Sequence, residues 1–271
     1  MTAPRSGRAS SRSPGGIATR TVPAAITLAG MIATPLAARG GPVRRVLSSV
    51  VVTGLFATTS AAAARRWGPT RTAATAAGVC TATAAVEHLG TATGVPFGRY
   101  AYTSALRPQV AGVPAIVPLA WFAMAVPARE AAHAALGSRS TPLGRIGLGA
   151  VALTAWDLFL DPQMVGEGYW AWARRGRYRG IPVTNFLGWL ATSAAVMAAL
   201  EAALPADEPA DPTLVAEYGV MAGMETLGFA AFFRDRLVAV VGGAAMLPVA
   251  GAAARTFWRQ RHWRVHSPVG R

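Results

Sequence analysis

Of the acidic side chains in stretches of helix length that are otherwise apolar, three stand between residues 87 and 161: Glu87, Asp157 and Asp161. Asp157 and Asp161 are four residues apart, so on a helix they lie on one face, one turn from each other. Two carboxyls in a dry pocket cannot both ionise cheaply, so one is expected to keep its proton and serve as a general acid. Pro162 follows Asp161 directly and is expected to end or kink the helix there. Glu87, beside His88, is a second acid position, followed by Gly94-Val-Pro-Phe-Gly-Arg-Tyr100. Around these acids, between Glu87 and Trp189, fall five of the eight tryptophans (Trp121, Trp156, Trp170, Trp172, Trp189) and four of the five tyrosines (Tyr100, Tyr102, Tyr169, Tyr178). Aromatic faces stabilise cations, so a neutral acid among them suits the protonation of a poor base and the shelter of the cation that results. Plainer roles stand beside these: the acids pairing with arginines or capping a neighbouring helix, Trp121 and Trp189 packing, and Trp170 and Trp172 forming an interfacial aromatic belt. The four histidines show no paired metal-ligand spacing, and there is no Cys–His motif or phosphate loop, so neither a metal nor a cofactor is expected.

The elements that must position these residues follow from charge. Of 271 residues, 52% are hydrophobic and 14% charged, with 26 basic side chains, all arginine, against 12 acidic ones, a formal net charge of +14. This excludes an acidic disordered chain and, with Cys80 the single cysteine, a disulfide scaffold; it is also unlike a soluble enzyme. A nucleic-acid binder would scatter its arginines over the folded surface, whereas here they bracket apolar runs. Charge-free stretches of 18, 19, 21, 21 and 18 residues separate Arg20 from Arg39, Arg45 from Arg65, Arg107 from Arg129, Arg179 from Glu201, and Arg236 from Arg255. A helix crossing a bilayer needs roughly 20 apolar residues. Three further segments of helix length carry acids: about 72–92, 146–165 and 214–233.

The fold expected is therefore all-α: a polytopic integral membrane bundle of about seven or eight transmembrane helices in the cell membrane, with the lipid bilayer as partner and no nucleic acid. A disordered basic tail over 1–20, a helical domain over 21–255 and a basic tail over 256–271 complete the organisation. The first apolar run also has the flanks of a signal peptide, but its length favours a retained helix. The tail 1–20 and the cluster Arg174–Arg179 both read as cytoplasmic and the acidic stretch Glu201–Asp211 as external, although the basic C-terminus conflicts with simple alternation of eight crossings. Gly112-Val-Pro and Gly180-Ile-Pro are each followed by six residues and then a tryptophan, Trp121 and Trp189, and place Pro114 and Pro182 in the first turn of a helix. Glu87-x-Leu-Gly recurs as Glu225-x-Leu-Gly.

Long blocks carry a resemblance: Glu87-His-Leu-Gly-Thr-Ala-Thr-Gly-Val-Pro-Phe-Gly-Arg-Tyr-Ala-Tyr102, Gly112-Val-Pro, Ala155-Trp-Asp-Leu-Phe-Leu-Asp-Pro-Gln-Met164, Gly168-Tyr-Trp-Ala-Trp172 and Tyr178-Arg-Gly-Ile-Pro-Val-Thr-Asn-Phe-Leu-Gly-Trp189. Over this core, 87–189, the chain resembles the membrane carotenoid-biosynthesis hydratases of the γ-carotene 1′-hydratase and bisanhydrobacterioruberin hydratase type. The resemblance implies water addition across the terminal double bond of an acyclic carotenoid end, giving a tertiary alcohol. It carries no residue roles, which come from the chemistry instead. On that ground Asp157 is expected as the acid, and Asp161 with Asn185 or Glu87 as the group that positions water. Trp156, Tyr169 and Trp189 are expected to line the cation site and Tyr100 to contact substrate. A carotenoid is the expected substrate, and other carotenoid-pathway enzymes are candidate partners. Two rivals remain open: a membrane prenyltransferase holding a diphosphate through magnesium, which would want a second aspartate motif, and a non-enzymatic isoprenoid or lipid transporter.

Overall fold

In the computed structural model, which describes residues 14–266 with side chains for 22–259, each of the eight segments marked by charge spacing forms a helix. These are α1 (Pro14–Ala33), α2 (Pro42–Trp67), α3 (Pro69–Thr93), α4 (Ile116–Leu136), α5 (Pro142–Gly166), α6 (Val183–Ala203), α7 (Pro212–Leu227) and α8 (Arg236–His266). The chain is thus an all-α bundle. α2, α5, α6 and the Arg236–Arg259 part of α8 are long and apolar enough to cross a membrane. α1 begins inside the stretch expected as an N-terminal tail and α8 runs on into the one expected as a C-terminal tail; the rest of both tails lies outside the described residues.

Local chemistry sets the helix boundaries. Proline occupies the first residue of α2, α3, α5 and α7, where its missing N–H has no partner to lose. Thr141 and Asp211 cap α5 and α7 by accepting backbone N–H bonds from Gly144 and from Thr213 and Leu214. Pro182 stands immediately before α6, and Pro114 sits in a two-residue strand ahead of α4, so neither lies inside the first turn as expected.

α4 is the central helix: every residue from Trp121 to Ala132 is buried, and it packs against α2, α3, α5, α7 and α8. Apart from Arg129 and Glu130 this buried stretch is apolar on every side, as suits the centre of such a bundle. Its Pro127 and the Pro162 of α5 each remove the N–H that would bond the carbonyl four residues earlier. Hydroxyls from other elements replace them: Thr59 donates to Ala123 O at 2.9 Å and Tyr178 to Leu158 O at 2.8 Å. α5 therefore continues through Pro162 to Gly166 instead of ending at Asp161.

Two antiparallel ribbons interrupt the helical pattern. β1 (Tyr100–Tyr102) pairs with β4 (Trp170–Trp172) in the register Tyr100↔Trp172 and Tyr102↔Trp170, and β2 (Gln109–Val110) pairs with β3 (Val113–Pro114). The loop carrying β1 rests on α6 at Gly188, where an added Cβ would lie 2.7 Å from Pro96 O and 2.8 Å from Phe97 Cδ1. Backbone cannot yield there as a flexible side chain would. Gly188→Ala is expected to destabilise the protein by about 1–3 kcal/mol through overpacking, read as a lower unfolding midpoint in detergent; an unchanged midpoint would contradict this packing.

The C-terminal part of α3, the C-terminal part of α5 and the first turns of α4 and α6 gather at one end of the bundle. At that end Glu167 accepts from Gly40 N at 3.2 Å and pairs with Arg44 at 3.1 Å. The 167–182 loop, with its arginine cluster, thus sits where α1 finishes and not where α1 begins. The expectation that the basic N-terminal tail and Arg174–Arg179 share a side falls largely on residues 1–13, which lie outside the described residues.

Candidate active site

α3 brings Glu87 inward two turns from its end, where Tyr100, Tyr102 and Trp121 converge on its carboxyl group. The Tyr102 hydroxyl donates to Oε2 at 2.8 Å, the Tyr100 hydroxyl donates to the same oxygen, and Trp121 Nε1–H donates to Oε1 at 2.9 Å. All three contacts are donations into Glu87, the arrangement an acceptor-only carboxylate takes. Burial, and next the neighbouring Glu87 carboxyl, hold both tyrosine hydroxyls well above the usual phenol range, so they stay protonated donors.

A second acid cluster faces this one. Asp157 and Asp161 of α5 lie on either side of Asn185, in the first turn of α6, whose side-chain amide donates to Asp157 Oδ2 at 2.8 Å and Asp161 Oδ2 at 2.5 Å. Trp170 Nε1–H donates to Asp161 Oδ1 at 3.0 Å, whereas Asp157 Oδ1 has no hydrogen-bond partner among the described residues. All three polar side chains are buried. The β1–β4 ribbon ties the clusters together: one strand supplies the hydroxyls on Glu87 and the other supplies Trp170 to Asp161.

Between the clusters lies a small apolar cavity of about 60 Å³, lined by Glu87, Asp161, Asn185, Tyr100, Tyr102 and the indoles of Trp121, Trp156, Trp170, Trp172 and Trp189, with aliphatic side chains from α2, α4 and α5. Trp121 and Trp189, the two tryptophans of the sequence echo, stack at 4.0 Å between ring centroids, and Trp156 meets Trp189 edge-on at 6.3 Å. A larger cavity of about 320 Å³ adjoins the first. Seven residues, among them Trp156, Leu160 and Met164, line both.

The expected residues are partly brought together. Glu87, Asp161, Asn185, Trp156, Trp189 and Tyr100 share the first cavity. Asp157 lies outside its lining, held to Asn185 from the far side. Tyr169 lines the second cavity instead, with its hydroxyl 3.3 Å from Ser48 Oγ, because the ribbon turns successive side chains to opposite faces. Trp170 and Trp172 are not an interfacial belt: one bonds Asp161 and both line the cavity. Tyr102, Trp121 and Trp170 are the site residues that reasoning from sequence missed, since an indole or phenol chosen for its hydrogen bond looks there like one chosen for packing. His88 bonds Ala111 O at 2.9 Å and lines neither cavity. Among the described residues no three His, Cys, Asp or Glu side chains are placed to hold a metal ion.

Fold and site together define a helical membrane protein with carboxyl groups presented to an aromatic-lined apolar cavity. The chain belongs to the carotenoid biosynthesis protein family, whose model matches residues 44–254. Over 115 residues it is 30% identical to bisanhydrobacterioruberin hydratase of Haloarcula japonica; the match covers 41% of this chain and 39% of the length of that relative. No solved structure matches the chain.

Proposed function

We propose that this protein is a hydro-lyase of carotenoid biosynthesis, a multi-pass protein of the cell membrane that adds water to the terminal double bond of an acyclic carotenoid end. The observation that carries the reading is a cavity in which Asp161, Asn185 and Glu87 are the acid and amide groups among aromatic and aliphatic walls. A trisubstituted alkene is a poor base, so it needs a preformed acid held in the dry, close to the double bond. Protonation at the less substituted carbon leaves a tertiary cation, and the faces of Trp156 and Trp189 stabilise it by about 0.5–2 kcal/mol or more when dry. Water then attacks the cation and gives up a proton to a carboxylate.

The Asp157–Asn185–Asp161 cluster is the proton source in this reading. Asp161 is its cavity-facing member, so proton delivery moves to it from Asp157, the acid expected from the sequence. Glu87, held as an acceptor by three donors, orients the water and takes its proton. The carotenoid family and the hydratase relative support the substrate class. A diphosphate substrate fits less well, because no arginine or histidine lines the cavity.

The test is pigment analysis of a host that accumulates acyclic carotenoids and expresses the full chain. The expected result is a more polar pigment heavier than the substrate by one water. Unchanged pigment in cells with normally inserted protein would overturn the proposal and favour a binding or transport role.

A further inference from the structure

Two polar groups of the cavity are left over by this mechanism. Trp156 and Trp172 both line it, and the Nε1–H of each is buried without a hydrogen-bond acceptor among the described residues. Their neighbours differ: Trp121 gives its N–H to Glu87 and Trp170 gives its own to Asp161. Buried N–H groups are nearly always paired, and a hydrocarbon end group offers no acceptor. An oxygen atom in the cavity does.

We propose that Trp156 and Trp172 are the oxygen-binding groups of the site, donating to the attacking water before addition and to the tertiary hydroxyl after it. The proposal rests on the hydration reading. The atoms balance as follows. The Asp161 O–H proton passes to the alkene CH, the π pair forming the new C–H bond and leaving the cation on the dimethyl-substituted carbon. The water oxygen, held by an indole N–H through one lone pair, forms the C–O bond with the other, and its proton passes to the Glu87 carboxylate. Neutral donors suit this place, since a cationic donor beside a carbocation would repel it. Trp156, which lines both cavities, stands where an end group arriving from the larger one meets the acids.

The test separates capture from protonation. Trp156→Phe and Trp172→Phe keep an aromatic face and remove the N–H. Membranes holding the full chain, or either variant, are supplied with acyclic carotenoid in deuterated water. Alcohol and deuterium in the recovered alkene are then measured, because an uncaptured cation returns a proton to the carboxylate and leaves deuterium behind. Trp172→Phe is expected to form alcohol about 5–10-fold more slowly while deuterium exchange continues at the wild-type rate or faster; Trp156→Phe, whose ring also faces the cation, is expected to lose more alcohol than exchange. Unchanged alcohol formation in both variants would overturn the proposal, as would parallel loss of alcohol and exchange, which marks a merely structural ring. A wild-type protein giving neither alcohol nor exchange would instead overturn the hydration reading itself.

Discussion

Asp161→Asn is expected to lower hydration by about 10²–10⁴-fold, the usual worth of a positioned general acid. The replacement is nearly isosteric and leaves an oxygen for the Trp170 N–H, so the Trp170 contact and the ribbon behind it are retained. What disappears is an acid in the cavity wall. Glu87→Gln is expected to fall within the same range, because an amide can neither take up the proton of water nor accept from three donors at once. Asp157→Asn distinguishes two ways the acid cluster can work. A loss matching that of Asp161→Asn makes the proton the property of the pair, as strongly coupled groups behave; a modest loss leaves it with Asp161. Alcohol formed per unit of inserted protein is the measurement, and full activity in both Asp161→Asn and Glu87→Gln would end this assignment.

The largest loss of stability is expected at the opposite end of the bundle, from Arg129→Ala. Arg129 is fully buried; it donates to Glu130 at 3.2 Å, to Glu201 at 2.9 and 3.2 Å, and to Leu204 O at 2.7 Å. Arg145 also pairs with Glu201, and Glu130 accepts from Asp211 N at 2.8 Å. This one guanidinium thus joins α4 to the end of α6. Without it Glu130, also fully buried, keeps among the described residues the distant Arg66 at 3.8 Å and one backbone N–H. Breaking a buried ion pair from one side costs about 3–5 kcal/mol, so unfolding of the solubilised variant should move by that amount. A change below about 0.5 kcal/mol, ordinary for a surface site, would show the network to be dispensable.

The helices were legible because hydrophobic length, charge spacing and the opening prolines act inside a single segment. The charges bracketing those runs were legible only as boundaries. That Arg129, Arg145 and Glu201 would leave the water and pair with one another depends on three helices meeting, which no one helix encodes. Glu87 and Asp161 were recognisable for the same reason the spans were: an acid is conspicuous in apolar sequence. Their partners were not. Tyr100 and Tyr102 meet Trp172 and Trp170 across about seventy residues of chain, in strands too short to show alternation. The difference between Asp157 and Asp161 was equally hidden. Helical spacing puts both on one face, and only the arrival of Asn185 from α6 decides which of them meets the cavity.

Both acid clusters lie near one end of the bundle, and the proposed reaction is consequently sided. A long polyene must offer its end group to that end, and its other terminus then points away from the acids. A substrate with two reactive termini is therefore served one terminus per visit. The singly hydrated molecule has to leave, reverse and return, so it should build up as a free intermediate early in the reaction and decay as the doubly hydrated product appears. The position of one small ribbon thereby sets the order in which products emerge.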